Sequence, residues 1–192
     1  ERLARGCRGK KPTRRFTLVP GLRAEWFDAI NTATLDPRLA MRYRLRDQTT
    51  LLAAGGVYQQ PPRIGLLGIF VFDLSAFGVA MPPERAIHSV MGVEQTLGPM
   101  LGLEAYAYYK HMDHLVEISA LDFGDGSQQE DLFLVDGTGR SYGLEMMLRL
   151  YPTERLFAWI AYSLSKSERK SLTTGNWFPF GYDQTHNLNI VA

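Results

Sequence analysis

The sequence predicts an all-β protein, an antiparallel wall of about eight strands belonging to a transmembrane β-barrel. Three observations carry that reading. Strand-like runs reach about 10 residues, the length of a tilted bilayer crossing. Aromatic residues collect near their ends (Phe16, Trp26, Tyr58, Tyr109, Tyr142, Tyr151, Phe157), as an interfacial girdle requires. The connections alternate: short ones at Arg46–Thr49, Leu97–Met100 and Tyr151–Arg155, long ones at 28–36, 61–84, 117–138 and 168–183. A bacterial outer-membrane barrel turns tightly on its periplasmic side and loops freely outside, which produces this rhythm.

In chain order, the first run, 18–26, sets Leu18, Pro20, Leu22, Ala24 and Trp26 against Val19, Gly21, Arg23 and Glu25. Pro20 weakens it, because proline cannot donate to a ladder. The run 38–45 opposes Leu39, Met41, Tyr43 and Leu45 to Arg38, Ala40, Arg42 and Arg44. Thr50–Gln59 and Ala86–Gln95 are β-compatible, with Gly55, Gly56 and Gly92 to accommodate bends. In 101–110, Leu101, Leu103, Ala105, Ala107 and Tyr109 face away from Glu104, Tyr106, Tyr108 and Lys110. The most regular strand, 141–150, separates Tyr142, Leu144, Met146, Leu148 and Leu150 from Ser141, Gly143, Glu145, Met147 and Arg149. A helical period of 3.6 would mix these sets. Arg155–Lys166 and His186–Ala192 complete the set, the first less cleanly because Phe157 and Trp159 fall on its polar side.

Alternation does not say which face is inside. A soluble ligand-binding barrel buries its apolar set, whereas a membrane barrel turns that set to lipid and lines its lumen with the polar one. Strand length, aromatic placement and loop asymmetry favour the membrane version. The bulk composition agrees: 45% hydrophobic, 21% charged and a net charge of +1 exclude a helical membrane protein and give no general argument for nucleic acid. The basic stretch Arg2–Arg15 reads as a solvated end, and the single Cys7 allows no intrachain disulfide. Gly65–Met81 is too apolar for an ordinary loop and, with Asp73 at its centre, poor as a membrane helix; a loop helix or hairpin packed at the barrel mouth or interior is expected.

Eight stretches in order carry a family resemblance: Leu-Val-Pro-Gly-Leu-Arg-Ala-Glu (18–25), Asp-Pro-Arg-Leu-Ala-Met-Arg-Tyr (36–43), Gly-Val-Tyr-Gln-Gln-Pro-Pro (56–62), Pro-Glu-Arg-Ala-Ile-His-Ser-Val-Met-Gly-Val-Glu-Gln (83–95), Tyr-Lys-His-Met-Asp-His-Leu-Val (109–116), Gly-Arg-Ser-Tyr-Gly-Leu-Glu (139–145), Trp-Ile-Ala-Tyr-Ser-Leu-Ser-Lys-Ser-Glu-Arg (159–169) and Tyr-Asp-Gln-Thr-His-Asn-Leu (182–188). Together they resemble the barrel portion of TonB-dependent outer-membrane receptors. The resemblance implies a barrel of about 22 strands closed by an N-terminal plug. It also implies uptake of a scarce ligand such as a siderophore, cobalamin or carbohydrate, energised through TonB. Residues 1–192 then form one partial barrel domain in the outer membrane, an open wall without the plug. The missing starting Met and signal peptide, and a last strand that looks unfinished, fit a piece of a longer polypeptide. The apolar insert 65–81 departs from the family, which usually carries a polar external loop there.

The expected partners are outer-membrane lipid, the plug and the remaining strands, TonB through that plug, and a small-molecule ligand; nucleic acid is not among them. No cofactor is called for. No catalytic set is evident: Ser163, Ser165 and Ser167 lack the strand–turn–helix setting of a nucleophile elbow. His111 and His114 point to opposite faces of a strand, and Asp122–Asp131 lacks the spacing of a calcium loop. The expected contacts to ligand or plug are the inward residues Arg23, Glu25, Arg42, Tyr106, Tyr108, Glu145 and Arg149, joined by Arg44, Glu104 and Lys110 on the same wall. External Tyr58, Gln59, Trp177 and Phe180, with Phe178, are expected to capture ligand. A small closed eight-stranded barrel for anchoring or adhesion, and a soluble ligand-binding barrel, remain the alternatives.

Overall fold

The computed structural model describes residues 15–61, 65–66, 70–71, 82–118, 133–151, 156–172 and 174–192. One antiparallel sheet runs through β1 (Phe16–Phe27), β2 (Thr32–Arg46), β3 (Thr49–Gln60), β6 (Glu84–Thr96), β7 (Leu101–Ile118), β8 (Phe133–Leu150), β9 (Ala158–Lys170) and β10 (Trp177–Pro179), with β11 (His186–Val191) also on β9. The two-residue strands β4 (Gly65–Leu66) and β5 (Phe70–Val71) pair with each other. That ladder is the part of the apolar insert that is described; the rest of 65–81, the acidic stretch 122–131 and the basic stretch 2–14 lie outside the described residues. Among the described residues β1 pairs only with β2, and β10 and β11 only with β9, so the sheet is open.

All eight expected runs are strands, and most are longer than expected. The first connection is a correction: 28–36 is no long loop. A 3-10 turn, Asp28–Ile30, closes on Asn31 in the left-handed region (φ 48°), and β2 is already paired at Thr32. The sequence 32–36 hides this because polar residues interleave with Ala33 and Leu35 ahead of Pro37. The connection expected at 168–183 is likewise shorter, since β9 reaches Lys170 and the chain returns along it as β10.

β10 and β11 are one strand with a bulge. Pro179 faces Glu168 and His186 faces Leu164, so seven steps on one side match four on the other. Within the excursion the Asp183 carboxylate accepts from the Ser167 N–H (2.7 Å), and Phe180 N–H donates to the Ser167 carbonyl (2.9 Å). The odd surplus of three reverses which side chains face which way, the usual work of a bulge. Trp177 and Leu188 therefore share a face although one number is odd and the other even.

Register sorts every strand into two faces. One carries Leu18, Leu22, Leu39, Met41, Leu51, Ile87, Met91, Leu144, Met146, Leu148, Ile160, Leu164, Leu188 and Ile190, all exposed. So continuous an apolar surface is not a water-facing one; in lipid it carries no penalty. Its upper edge steps along the ladder. Ile87 stands opposite His111, β7 ends the band two residues lower at Tyr109, beside Tyr142, and β9 ends it at Leu164, opposite Leu144. A band that is level in a membrane must drift in this way across tilted strands. No described helix is long and apolar enough to cross a membrane, which says nothing of strands.

Candidate functional site

The opposite face gathers the polar residues. Arg23, Glu25, Arg42, Arg44, Glu104, Tyr106, Tyr108, Lys110, Glu145 and Arg149 all lie on it by register. They divide into two levels.

Near the short turns the charges are paired within the wall. Glu94 and Glu104 stand directly opposite one another on β6 and β7, an arrangement that is destabilising unless cations intervene. Arg42 on β2 reaches over Leu52 to Glu94, with Nη1 3.2 Å from Oε1. Arg149 on β8 approaches Glu104 at 3.7 Å, and the Tyr106 hydroxyl reaches the same carboxylate at 3.5 Å. Toward the other end of the wall, beyond the level of Arg38, Arg23 and Glu25 form an ion pair along β1. These pairs consume much of the charge that alternation alone presents as available to a ligand.

Nearer the long connections the face is cationic and aromatic. Arg38, Gly56, His88 and Lys110 follow one another across β2, β3, β6 and β7. Gly56 is required there: a Cβ would come within 2.9 Å of the Arg38 side chain and 3.2 Å of the Pro37 carbonyl oxygen. The Arg38 guanidinium lies 4.3 Å from the Tyr58 ring centre, and Tyr58 tilts against His88 with centroids 4.3 Å apart. Among the described residues the buried Arg38 Nε has no hydrogen-bond partner. Arg38, Tyr58, His88, Tyr106, Tyr108 and Lys110 help to line a cavity of about 720 Å³. Tyr106 and Tyr108, expected on the inward wall, line this cavity together with Tyr58, whereas the expected contacts left out Arg38 and His88. The signal for Arg38 was its parity with Arg42; His88 sits in a run whose alternation is weak.

The expected external residues are corrected. Tyr58 and Gln59 are inside β3, paired with Ala86 and Arg85, rather than in a loop. The β2–β3 ladder stops at Arg38–Gly56 beside Pro37, which has no N–H to donate. Asp36, fully buried, takes over, accepting from the Gln59 side-chain amide (3.1 Å) and backbone N–H (3.4 Å). Gln59 is thereby engaged in the wall. Trp177 and Phe180 do not form one patch. Trp177 pairs with Lys170 on the apolar side's charged margin, under the Arg140 guanidinium at 4.1 Å, whereas Phe180 lies 4.5 Å from the guanidinium of Arg169, a residue of the polar face. Phe178 is paired with Arg169.

Among the described residues no three His, Cys, Asp or Glu side chains are grouped to hold a metal. His111 bonds Asp113 (2.8 Å), and His114 stands at φ 56° where the β7–β8 register shifts.

No family model and no curated protein matches the chain. Solved structures do. The ferric-catecholate import receptor Fiu of E. coli K12 aligns at TM-score 0.59 and 20% identity over 83% of this chain and 22% of its own. The FrpB iron transporter of Neisseria meningitidis aligns at 0.58 and 17%, over 81% and 24%. The outer-membrane transporter YddB of E. coli aligns at 0.60 and 13%, over 87% and 26%. The chain spans about a quarter of the length of the solved chains it matches. What is shared is the fold, the open wall of an outer-membrane transporter barrel.

Proposed function

We propose that the chain is part of the barrel wall of a TonB-dependent outer-membrane receptor that takes up a scarce, anionic small ligand. The observation that carries the reading is the sorting of the two faces: lipid-compatible apolar residues on one, ion pairs and a cationic, aromatic surface on the other, on a fold shared with outer-membrane transporters. The paired charges near the short turns suit a plug seated against the wall. The Arg38–Tyr58–His88–Lys110 surface suits an anionic chelate with aromatic groups, since cations and stacked rings recognise both features. Siderophores fit that chemistry better than neutral carbohydrates. The ring of partners follows: outer-membrane lipid, the remaining strands, the plug, and TonB through the plug. The activity proposed is transport without covalent chemistry.

The small closed barrel is disfavoured because, among the described residues, β1 pairs only with β2 and β11 only with β9. The test is made in the full-length receptor. Cells relying on it are supplied with ferric catecholate, cobalamin or an oligosaccharide, and uptake is followed with and without TonB. TonB-dependent uptake of the anionic chelate, lowered at least about tenfold in Arg38→Gln/Lys110→Gln with barrel heat-resistance intact, is expected. Uptake that survives the double substitution removes the cationic surface from the ligand path; TonB-independent entry removes the receptor reading.

A further inference from the structure

Just above the apolar band, on its own side of the wall, the register lines up a charged row. Arg85 faces Asp113, His111 faces Arg140, and Arg140 faces Glu168. The row is built as two triads of one design. Asp113 holds Arg85 (2.9 Å) and His111 (2.8 Å); Glu168 holds Arg140 (2.7 Å) and Lys166 (2.7 Å). In each the carboxylate is sunk and a cation stands out: the side chains of Asp113 and Glu168 are 20% and 6% exposed, those of Arg85 and Lys166 45% and 49%. The acids fix the cations in place while the surface presented outward is positive. The Arg140 guanidinium lies over the ring of Trp177, which sits farther out at the level of Lys170, and the Tyr109–Tyr142 stack marks the band edge just below the row.

Below the row, past Ile87 on β6 and beside Tyr109 on β7, is a depression of about 560 Å³ on the apolar side. Its floor is made of small residues, Ala53, Gly55, Ser89 and Ala107, between Leu39, Met91 and Tyr109. Small side chains there leave room for a slender apolar guest. The row stands at the end of the wall that carries the long connections 61–83 and 119–132, the external end of an outer-membrane barrel.

We propose that this strip binds an outer-leaflet lipid with a phosphorylated headgroup. The phosphates sit on Arg85, Arg140 and Lys166, and one acyl chain enters the depression. Guanidinium and ammonium groups at the level of a polar headgroup, continuous with an apolar slot, provide both halves of such recognition. An aqueous anion would use only the first half. The proposal rests on the outer-membrane placement given above.

The intact receptor is delipidated and reconstituted in phosphatidylcholine nanodiscs doped with diphosphoryl lipid A or with its dephosphorylated form, and retained lipid is counted by native mass spectrometry. Diphosphoryl lipid should be held at least about tenfold more tightly. Arg85→Gln/Arg140→Gln should abolish that preference, and Ala107→Leu, which fills the depression, should weaken retention of both lipids. Equal retention of the two lipids, or an unchanged preference in the double variant, overturns the site. Displacement of bound lipid by millimolar inorganic phosphate also overturns it, by reassigning the cations to a free anion. Should the double variant fail to fold, the comparison of the two lipids on the unaltered protein still decides. Cell fractionation is read separately, so a receptor outside the outer membrane would defeat the placement without being mistaken for failure of the lipid preference.

Discussion

Tyr106 lies across Gly92, the residue directly opposite it on the neighbouring strand. A Cβ at position 92 would run into the ring and come within 2.7 Å of the Ala105 carbonyl oxygen. The glycine thus gives the tyrosine its orientation, which carries the hydroxyl to Glu104. Gly92→Ala should displace the ring and destabilise the barrel by about 1–3 kcal/mol, the usual cost of overpacking. Unfolding of the full-length barrel in urea, read by heat-modifiable gel mobility, measures it; an unchanged midpoint would mean that the ring moves aside freely.

Adjacent methionines test the two faces. Met146 is on the apolar side, 46% exposed, whereas Met147 is on the polar side within 3.7 Å of Arg149. Met146→Arg should cost roughly 2–4 kcal/mol near the bilayer midplane, and Met147→Arg much less. Folding yields in lipid vesicles compare them directly. Equal losses would contradict the assignment of faces.

The facing pair Glu94 and Glu104 predicts a coupled response. Replacing Glu104 by Gln relieves their repulsion but strips Arg149 of its partner, while Arg42 keeps Glu94. The pairs are partly exposed, so the net change should stay within about 1 kcal/mol. A double-mutant cycle on Glu104 and Arg149 should return a coupling of the same small size. A coupling several times larger would show that a further element, such as a plug, buries this level.

Trp177 and Phe180 should separate in function. Phe180→Ala removes the ring beside Arg169 on the polar face and should reduce ligand uptake; Trp177→Ala unseats Arg140 on the other face and should leave uptake unchanged. Transport assays on the two single variants decide. If both reduce uptake equally, the loops act together despite their opposite placement.

The alternation in 101–110 and 141–150 was legible because membrane strands must keep one face apolar over the whole crossing. Parity alone therefore assigned Arg42, Glu104, Tyr106, Glu145 and Arg149 to one wall. The failures come where that constraint ends. Beyond the band a strand needs no apolar face, so paired residues such as Thr32–Asp36 and Trp177–Pro179 look like loop. A bulge also reverses parity unseen, since its extra residues are chosen by hydrogen bonds such as that between Asp183 and Ser167 and not by hydropathy.

By itself the sequence determined the fold class, the strands and their two faces, because each is a local consequence of period and length. Only the tertiary structure decided which residues share a row. Arg38, His88 and Lys110, or Arg85, Asp113, Arg140 and Glu168, become neighbours through register across separate strands. Register is set by the whole ladder, by the glycines that let side chains cross it and by the bulges that shift it, and no single stretch of sequence contains that information.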